Sequence, residues 1–151
     1  MKYTSEIIIG LPLDKFMEKM DNSENMKHWQ KGLVSYEQLE GKPGEVGAKM
    51  KLSYKFKKRE MELIETITHK KLPNEFNMTY TTKGMKNHVE NLFEQTPEGQ
   101  TKWTSNTEFI PQNFMMKLMT TFMKGAFKKQ SMKYMLDFKN FAENGVSVAD
   151  A

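Results

Sequence analysis

The last quarter of the chain, Pro111 to Glu143, is one long run of helical periodicity loaded with Met and Phe. It follows a long series of alternating segments broken by Gly, Pro and Asn, the pattern of antiparallel strands joined by turns. A helix with one apolar stripe must bury that stripe against another layer. Strands first and a single long helix last suggest a curved sheet wrapped around that helix, with room for a ligand between them. A binding module is therefore the leading expectation.

At 151 residues the chain reads as one domain, residues 1–143, followed by a small, polar and frayed tail, 144–151. Its mean hydropathy is −0.71, and no window approaches the ~18 consecutive apolar residues of a spanning helix. The segment from Met1 to Gly10 alternates like a strand and lacks the basic start and apolar block of a signal peptide. There is no cysteine, hence no disulfide framework and no thiolate chemistry. A cytoplasmic location is expected. The net charge is +4, yet Arg59 is the only arginine. Base reading leans on the bidentate guanidinium, so lysines spread over every segment imply a solvated surface and no nucleic-acid partner.

Residues 2–10 read as a first strand. Pro12 suits the first turn of a short helix ending near Met20, and Asn22 or Ser23 can cap a second that carries His28 and Trp29. Strands are expected near 33–40, 47–56, 59–69, 74–82, 85–96 and 101–110. Antiparallel partners share a constant index sum, so the short turns predict registers. Pairing Phe56 with Arg59 sets Tyr54 on Met61, Leu52 on Leu63 and Met50 on Glu65. Pairing Thr82 with Met85 sets Tyr80 on Asn87, Met78 on Val89 and Phe76 on Asn91. Pairing Gln95 with Thr101 sets Phe93 on Trp103, Asn91 on Ser105 and Val89 on Thr107. All three hairpins then place apolar residues on one face and charged residues on the other. A one-residue slip would invert a strand and destroy that agreement.

The helix offers a matching stripe of Met115, Leu118, Met119, Phe122, Met123 and Ala126. It resumes at Tyr134, Met135, Phe138, Phe141 and Ala142 in a different direction. The change falls beside Gly125, the weakest helix former of the run, which predicts a kink between Gly125 and Ser131.

Several of these features occur in an order that resembles the START-like superfamily, and within it the polyketide cyclase/dehydrase and lipid-transport group. They are Ile7-Ile8-Ile9-Gly10-Leu11-Pro12, Phe16, Met20-Asp21, Trp29, Gly44-Glu45-Val46-Gly47 leading into a strand, and the C-terminal helix. The resemblance covers nearly the whole chain. It implies an α+β helix-grip fold, with a seven-stranded antiparallel sheet, two short helices after the first strand and one long C-terminal helix. It also implies a ligand cavity between sheet and helix. That group spans carriers and cyclases and has no shared catalytic motif, so the fold does not choose the function.

The expected ligand-binding residues are Met50, Leu52, Tyr54, Leu63, Glu65, Phe76, Met78, Tyr80, Val89, Asn91, Phe93, Trp103, Ser105, Thr107, Met115, Met119, Phe122 and Met123. The chain has fourteen methionines, a flexible and polarizable side chain that suits either a cavity wall or an irregular core. Glu65, Asn87, Asn91, Ser105 and Thr107 bring polar groups onto the apolar face. They serve either to orient a ligand or as an internally satisfied cluster. Glu65, flanked by Met50 and Met78, is the one candidate acid or base, because burial raises a carboxyl pKa. The alternative is that a bulge turns it outward.

His28, His69 and His88 show no metal-ligand spacing, and no cofactor is expected. Lys117, Lys124, Lys128, Lys129 and Lys133 flank the helix stripe. With its apolar side assigned to the sheet, membrane contact is at most transient. The expected partner is a small, mostly hydrophobic molecule, lipid-like or polycyclic. The alternatives are a cyclase or dehydratase using the same cavity, and a regulatory module that binds a protein partner. The oligomeric state is not legible.

Overall fold

The structure, a computed structural model, describes residues 1–150. Strand β1 (Lys2–Ile9) is followed by helix α1 (Leu13–Met20), a single 3₁₀ turn (Ser23–Asn25) and the short helix α2 (Met26–Trp29). Strands β2 (Leu33–Glu40), β3 (Lys49–Phe56), β4 (Arg59–Lys71), β5 (Glu75–Thr82), β6 (Met85–Gln95) and β7 (Thr101–Pro111) then run as a meander. Helices α3 (Phe114–Phe122) and α4 (Lys124–Asn144) close the chain. The strands form one seven-stranded antiparallel sheet in the order β1-β7-β6-β5-β4-β3-β2. This is the α+β helix-grip architecture.

All three predicted hairpin registers are those of the structure. Phe56 pairs with Arg59 and Met50 with Glu65; Thr82 pairs with Met85 and Phe76 with Asn91; Gln95 pairs with Thr101 and Asn91 with Ser105. The β4–β5 pairing, which no short turn predicted, sets Glu65 beside Tyr80 and Ile67 beside Met78. Glu65 is thus flanked by Met50 and Tyr80, not by Met50 and Met78. The β4–β5 bulge falls between Ile67 and His69, beyond Glu65, and so leaves Glu65 on the inner face.

The predicted single helix is two. Met123 leaves helical geometry (φ −113, ψ 20) and serves as both the end of α3 and the start of α4. The break precedes Gly125, and α4 runs unbroken through Gly125 to Ser131. The shift in stripe direction had a real cause, but tertiary anchoring rather than glycine propensity locates it. Phe127 packs tilted against Phe109 with ring centroids 4.7 Å apart, and the Tyr3 hydroxyl lies 2.7 Å from Ser131 Oγ. These contacts fix the start of α4 over β1 and β7. Further along, Lys139 Nζ donates to the carbonyl of Ile8 at 2.7 Å.

Beyond α4, the segment assigned to a frayed tail folds back on α2. Gly145 caps the helix in a left-handed conformation at φ 70, which glycine adopts without a Cβ clash. Ser147 Oγ then sits 2.8 Å from His28 Nδ1. Ala151 lies outside the described residues.

Candidate functional site

One end of the concave face is sealed by aromatic packing. Phe16 of α1 is fully buried against Phe93 (5.1 Å between ring centroids), Phe138 (5.2 Å) and Trp103 (6.1 Å). Trp29 packs edge-on against Phe138 and Trp103, so it closes this end of the core, while its neighbour His28 stacks on Phe141. Ile9, Met135 and Ala142 complete the cluster. Rings at these separations and tilts gain quadrupolar attraction beyond the area they bury. The Trp103 indole N–H donates to Asn91 Oδ1 at 3.0 Å, with both residues buried. Asn91 is therefore committed to holding Trp103.

Away from this seal the inner face is less covered. Met50, Met61, Leu63, Met78, Tyr80 and Val89 are each half-buried. The helices explain why: α4 packs most closely on β1 and α3 on β7, toward one edge of the sheet. The α3 stripe does not lie on the sheet as expected. Met115 and Phe122 are 75% and 82% exposed, and Met123 is 46% exposed. Only Met116, Met119 and Thr120 turn inward. The inner face of β3–β6 is thus left only half-covered, with Tyr134 of α4 near enough to Tyr54 and Tyr80 to act on them electrostatically.

Across this face runs a polar row. Phe109, Asn87, Tyr80, Glu65 and Met50 are successive cross-strand partners on β7, β6, β5, β4 and β3. Directly opposed side chains on one face have Cβ atoms roughly 5 Å apart, so Glu65, Tyr80 and Asn87 form a contiguous set. Tyr54 from β3 and Tyr134 from α4 are close enough to act electrostatically on Tyr80. Glu65 lies deep in the concave surface while keeping a solvent-accessible side. Burial raises its carboxyl pKa, and the Tyr80 hydroxyl pulls in the opposite sense. Burial also drives the Tyr80 hydroxyl well above its ordinary value, reinforced by the charge of Glu65. Tyr54 and Tyr134 are raised for the same first reason. All three phenols thus stay protonated at neutral pH and act as donors.

The hydrogen-bonding capacity of the row is only partly used. The Tyr80 hydroxyl donates to the soft acceptor Met78 Sδ at 3.3 Å. Asn87 Oδ1 is buried with no protein partner. Tyr54 is tied down, donating to Gln30 Oε1 at 2.6 Å.

The expected site residues therefore separate into groups. Met50, Leu63, Glu65, Met78, Tyr80 and Val89 are half-buried on the inner face, and Met119 is half-buried on α3. Leu52, Tyr54, Phe93, Trp103, Asn91, Ser105 and Thr107 are buried in the packed floor, and Phe76 packs at the edge of the aromatic seal. Tyr134 was not among the expected binding residues, whereas Asn87 was expected on the apolar face, either orienting a ligand or within a satisfied cluster. Tyr134 stood in a stripe assigned to the core, although a phenol there needs a polar neighbour.

Two concavities are open on the surface. One, of about 850 Å³, is a shallow depression lined by the outer-face residues Thr79, His88, Glu90 and Asn106, with Met78 and Val89 also at its lining. The second, about 660 Å³, lies beside Gly32 and Phe56. No group of three or more metal-ligating side chains exists among the described residues, and none of their helices is long and apolar enough to cross a membrane.

A seven-stranded antiparallel sheet that grips a C-terminal helix defines the helix-grip fold, and solved structures superpose on it over nearly the full chain. Ara h 8.0201 aligns at a TM-score of 0.76 and 14% identity, over 94% of this chain and 97% of that chain. The Zhui aromatase/cyclase from Streptomyces sp. R1128 aligns at 0.77 and 10% identity, over 95% and 93%. A protein from Thermus thermophilus aligns at 0.75 and 10% identity, over 97% and 100%. At these identities the likeness is one of fold. No family profile and no curated protein sequence matches the chain.

Proposed function

We propose that the protein binds one small, mostly hydrophobic molecule, lipid-like or polycyclic, in the groove between β3–β6 and α4. The observation that carries this reading is the contrast within one concave face. Its aromatic end is packed shut, while Met50, Met61, Leu63, Met78 and Val89 stay half-buried beside it. Burying those side chains against an apolar ligand gains roughly 25 cal/mol for each Å² removed from water. The flexible thioethers of Met50, Met61 and Met78 adapt to varied shapes. The unpartnered Asn87 Oδ1, in the same cross-strand row as Glu65 and Tyr80, fixes a polar group of the ligand.

The test pairs two measurements on Val89→Trp, which fills the groove from its floor. An organic extract of the purified wild type is expected to contain a molecule that the variant lacks. Anilinonaphthalene sulfonate fluorescence should likewise fall in Val89→Trp and persist in Phe122→Ser, which alters only the exposed α3 face. Empty extracts together with equal dye binding in Val89→Trp would remove the reading.

The polar row favours a second reading, a cyclase or dehydratase working in the same groove. Glu65 as carboxylate takes a proton from the carbon beside a ketone. The enolate oxygen that forms accepts a hydrogen bond from Tyr80, whose hydroxyl stays protonated. Glu65 then returns the proton to the oxygen of the second carbonyl as the new carbon–carbon bond closes. A raised carboxyl pKa suits a group that must both accept and return a proton near neutral pH. Loss of turnover on a poly-ketone substrate in Glu65→Gln, with binding retained, supports this reading; unchanged turnover sinks it.

A further inference from the structure

The exposed side of α3 is an unpartnered apolar face on a helix of nine residues. At about 100° per residue, Phe114, Met115, Leu118 and Phe122 fall within one narrow arc. They are 72%, 75%, 40% and 82% exposed. A sheet-facing stripe would have been buried, so this arc is free of the fold.

Charge says what covers it. From Pro111 to Leu136 there is no Asp or Glu, while Lys117, Lys124, Lys128, Lys129 and Lys133 all lie within that stretch. Lys133 is neutralised by Asp137 at 2.6 Å; among the described residues the other four form no ion pair. The topology adds more. The β3–β4 and β5–β6 turns lie at the end of the sheet where β7 hands over to α3. These turns carry Lys57, Lys58 and Lys83. Gln112 N–H donates to the carbonyl of Gly84 at 2.8 Å. Gly84 itself abuts Asn113 and Met116, so Lys83 is held against the start of α3.

We propose that this end of the molecule docks on an anionic lipid bilayer, with α3 lying in the interface. Phe114, Met115, Leu118 and Phe122 enter the acyl boundary, and the lysines meet the headgroups. A second copy of the chain is the poorer occupant, because two such faces would bring unpaired lysines together. A bilayer requires no complementary groove, which suits a convex helix whose large side chains project singly. The proposal does not depend on what the groove holds.

Flotation with vesicles tests it. The folded protein is expected to bind vesicles of phosphatidylcholine with phosphatidylserine, to bind pure phosphatidylcholine far more weakly, and to release as salt rises. Each lysine near such a surface is worth roughly fivefold in partitioning. Lys124→Glu with Lys128→Glu should therefore weaken binding by at least about twenty-five-fold. Leu118→Ser with Phe122→Ser should weaken it by tenfold or more, as each leaves roughly a side chain's transfer energy unrealised. Both double variants alter exposed positions and should melt like the wild type. Retained dye binding in their grooves separates loss of docking from loss of the groove. No binding to phosphatidylserine vesicles overturns the proposal, as does binding that neither double variant weakens. Sedimentation equilibrium showing a dimer that Leu118→Ser with Phe122→Ser dissociates would give the face to a second copy and overturn it too.

Discussion

Asn91 separates a structural role from a ligand-orienting one, and the separation is measurable. Its Oδ1 accepts from the Trp103 indole N–H at 3.0 Å, and the two residues are each 6% exposed. Water therefore does not reach the donor if Asn91 is truncated. Asn91→Ala strands a buried N–H, which costs about 1–3 kcal/mol. For a chain of 151 residues, an unfolding entropy of about 2.1 cal/mol/K per residue makes 1 kcal/mol equal to about 3 °C in Tm. The expected loss is thus about 2 kcal/mol, or about 6 °C. Trp103→Phe removes the donor and leaves Asn91 Oδ1 without its partner. In that background Asn91→Ala should cost little or even stabilise, giving a coupling energy of roughly 1–2 kcal/mol in the double-mutant cycle. Thermal unfolding of the four proteins by circular dichroism is sufficient. Equal cost of Asn91→Ala in both backgrounds would refute the argument. A wild-type Tm with lost dye binding would instead return Asn91 to the ligand.

Three further perturbations follow from the same geometry. Burial raises the Glu65 pKa above its ordinary 4.5, so the folded state holds that proton more tightly than the unfolded chain. Its contribution is full below the unfolded pKa and is lost as pH rises through the folded one, at about 1.4 kcal/mol for each tenfold difference in proton affinity between the two states. Glu65→Gln has no such proton. Urea unfolding should show its stability advantage growing from about pH 4 toward about pH 8, and a gap that does not change with pH contradicts the assignment. Phe16→Ala removes a fully buried ring held by three others, and should lower stability by about 3–5 kcal/mol in denaturant titration; a loss below about 1 kcal/mol would mean the seal can collapse around the gap. Gly84 has φ +80, and a Cβ there would sit 2.7 Å from Asn113 Nδ2. Gly84→Ala is expected to cost more than about 1 kcal/mol and to loosen the start of α3, read as faster amide exchange at Met116; unchanged exchange there would show that the turn does not pin α3.

The registers were legible because a two-residue turn and a period of two leave little freedom. Once Lys57-Lys58 or Lys83-Gly84 is taken as a turn, every residue along the hairpin is assigned a partner and a face. The placement of Glu65 on the inner face followed from that logic. Its neighbour Tyr80 did not, since the β4–β5 turn contains Pro73 and the ladder carries a bulge between that turn and Glu65. A bulge shifts the index sum by one, and nothing in the sequence of His69 or Thr68 announces it. The α3 stripe failed for a different reason. Periodicity reports that Met115, Leu118 and Phe122 share a side of a helix, but not what that side meets. Only the anchoring of Phe127 on Phe109 and of Ser131 on Tyr3 shows that α4 carries the grip, leaving α3 beside the sheet's end.

This division of labour between the two helices has a functional consequence. A single straight helix with one stripe would close the concave face along its length and leave only buried, saturated positions such as Asn91 and Leu52. Breaking the helix at Met123 lets α4 satisfy the aromatic seal at Phe138 while α3 departs from the sheet. The half-covered inner face contains Asn87 Oδ1, buried without a protein partner, in the row with Glu65 and Tyr80. The same break turns the α3 apolar side outward beside the lysines. One backbone irregularity therefore accounts for both the half-covered inner face and the exposed helix face. Helix propensity alone does not explain it, since Met123 is a good helix former and Gly125 lies inside α4. The decisive term is tertiary packing at the start of α4. Weakening it with Phe127→Ala should let the 114–144 segment straighten, lower dye binding in the groove and reduce the exposure of Phe122. Solvent quenching of a tryptophan placed at position 122 reads that exposure directly, and undiminished quenching in the Phe127→Ala background would refute the link between anchor and groove.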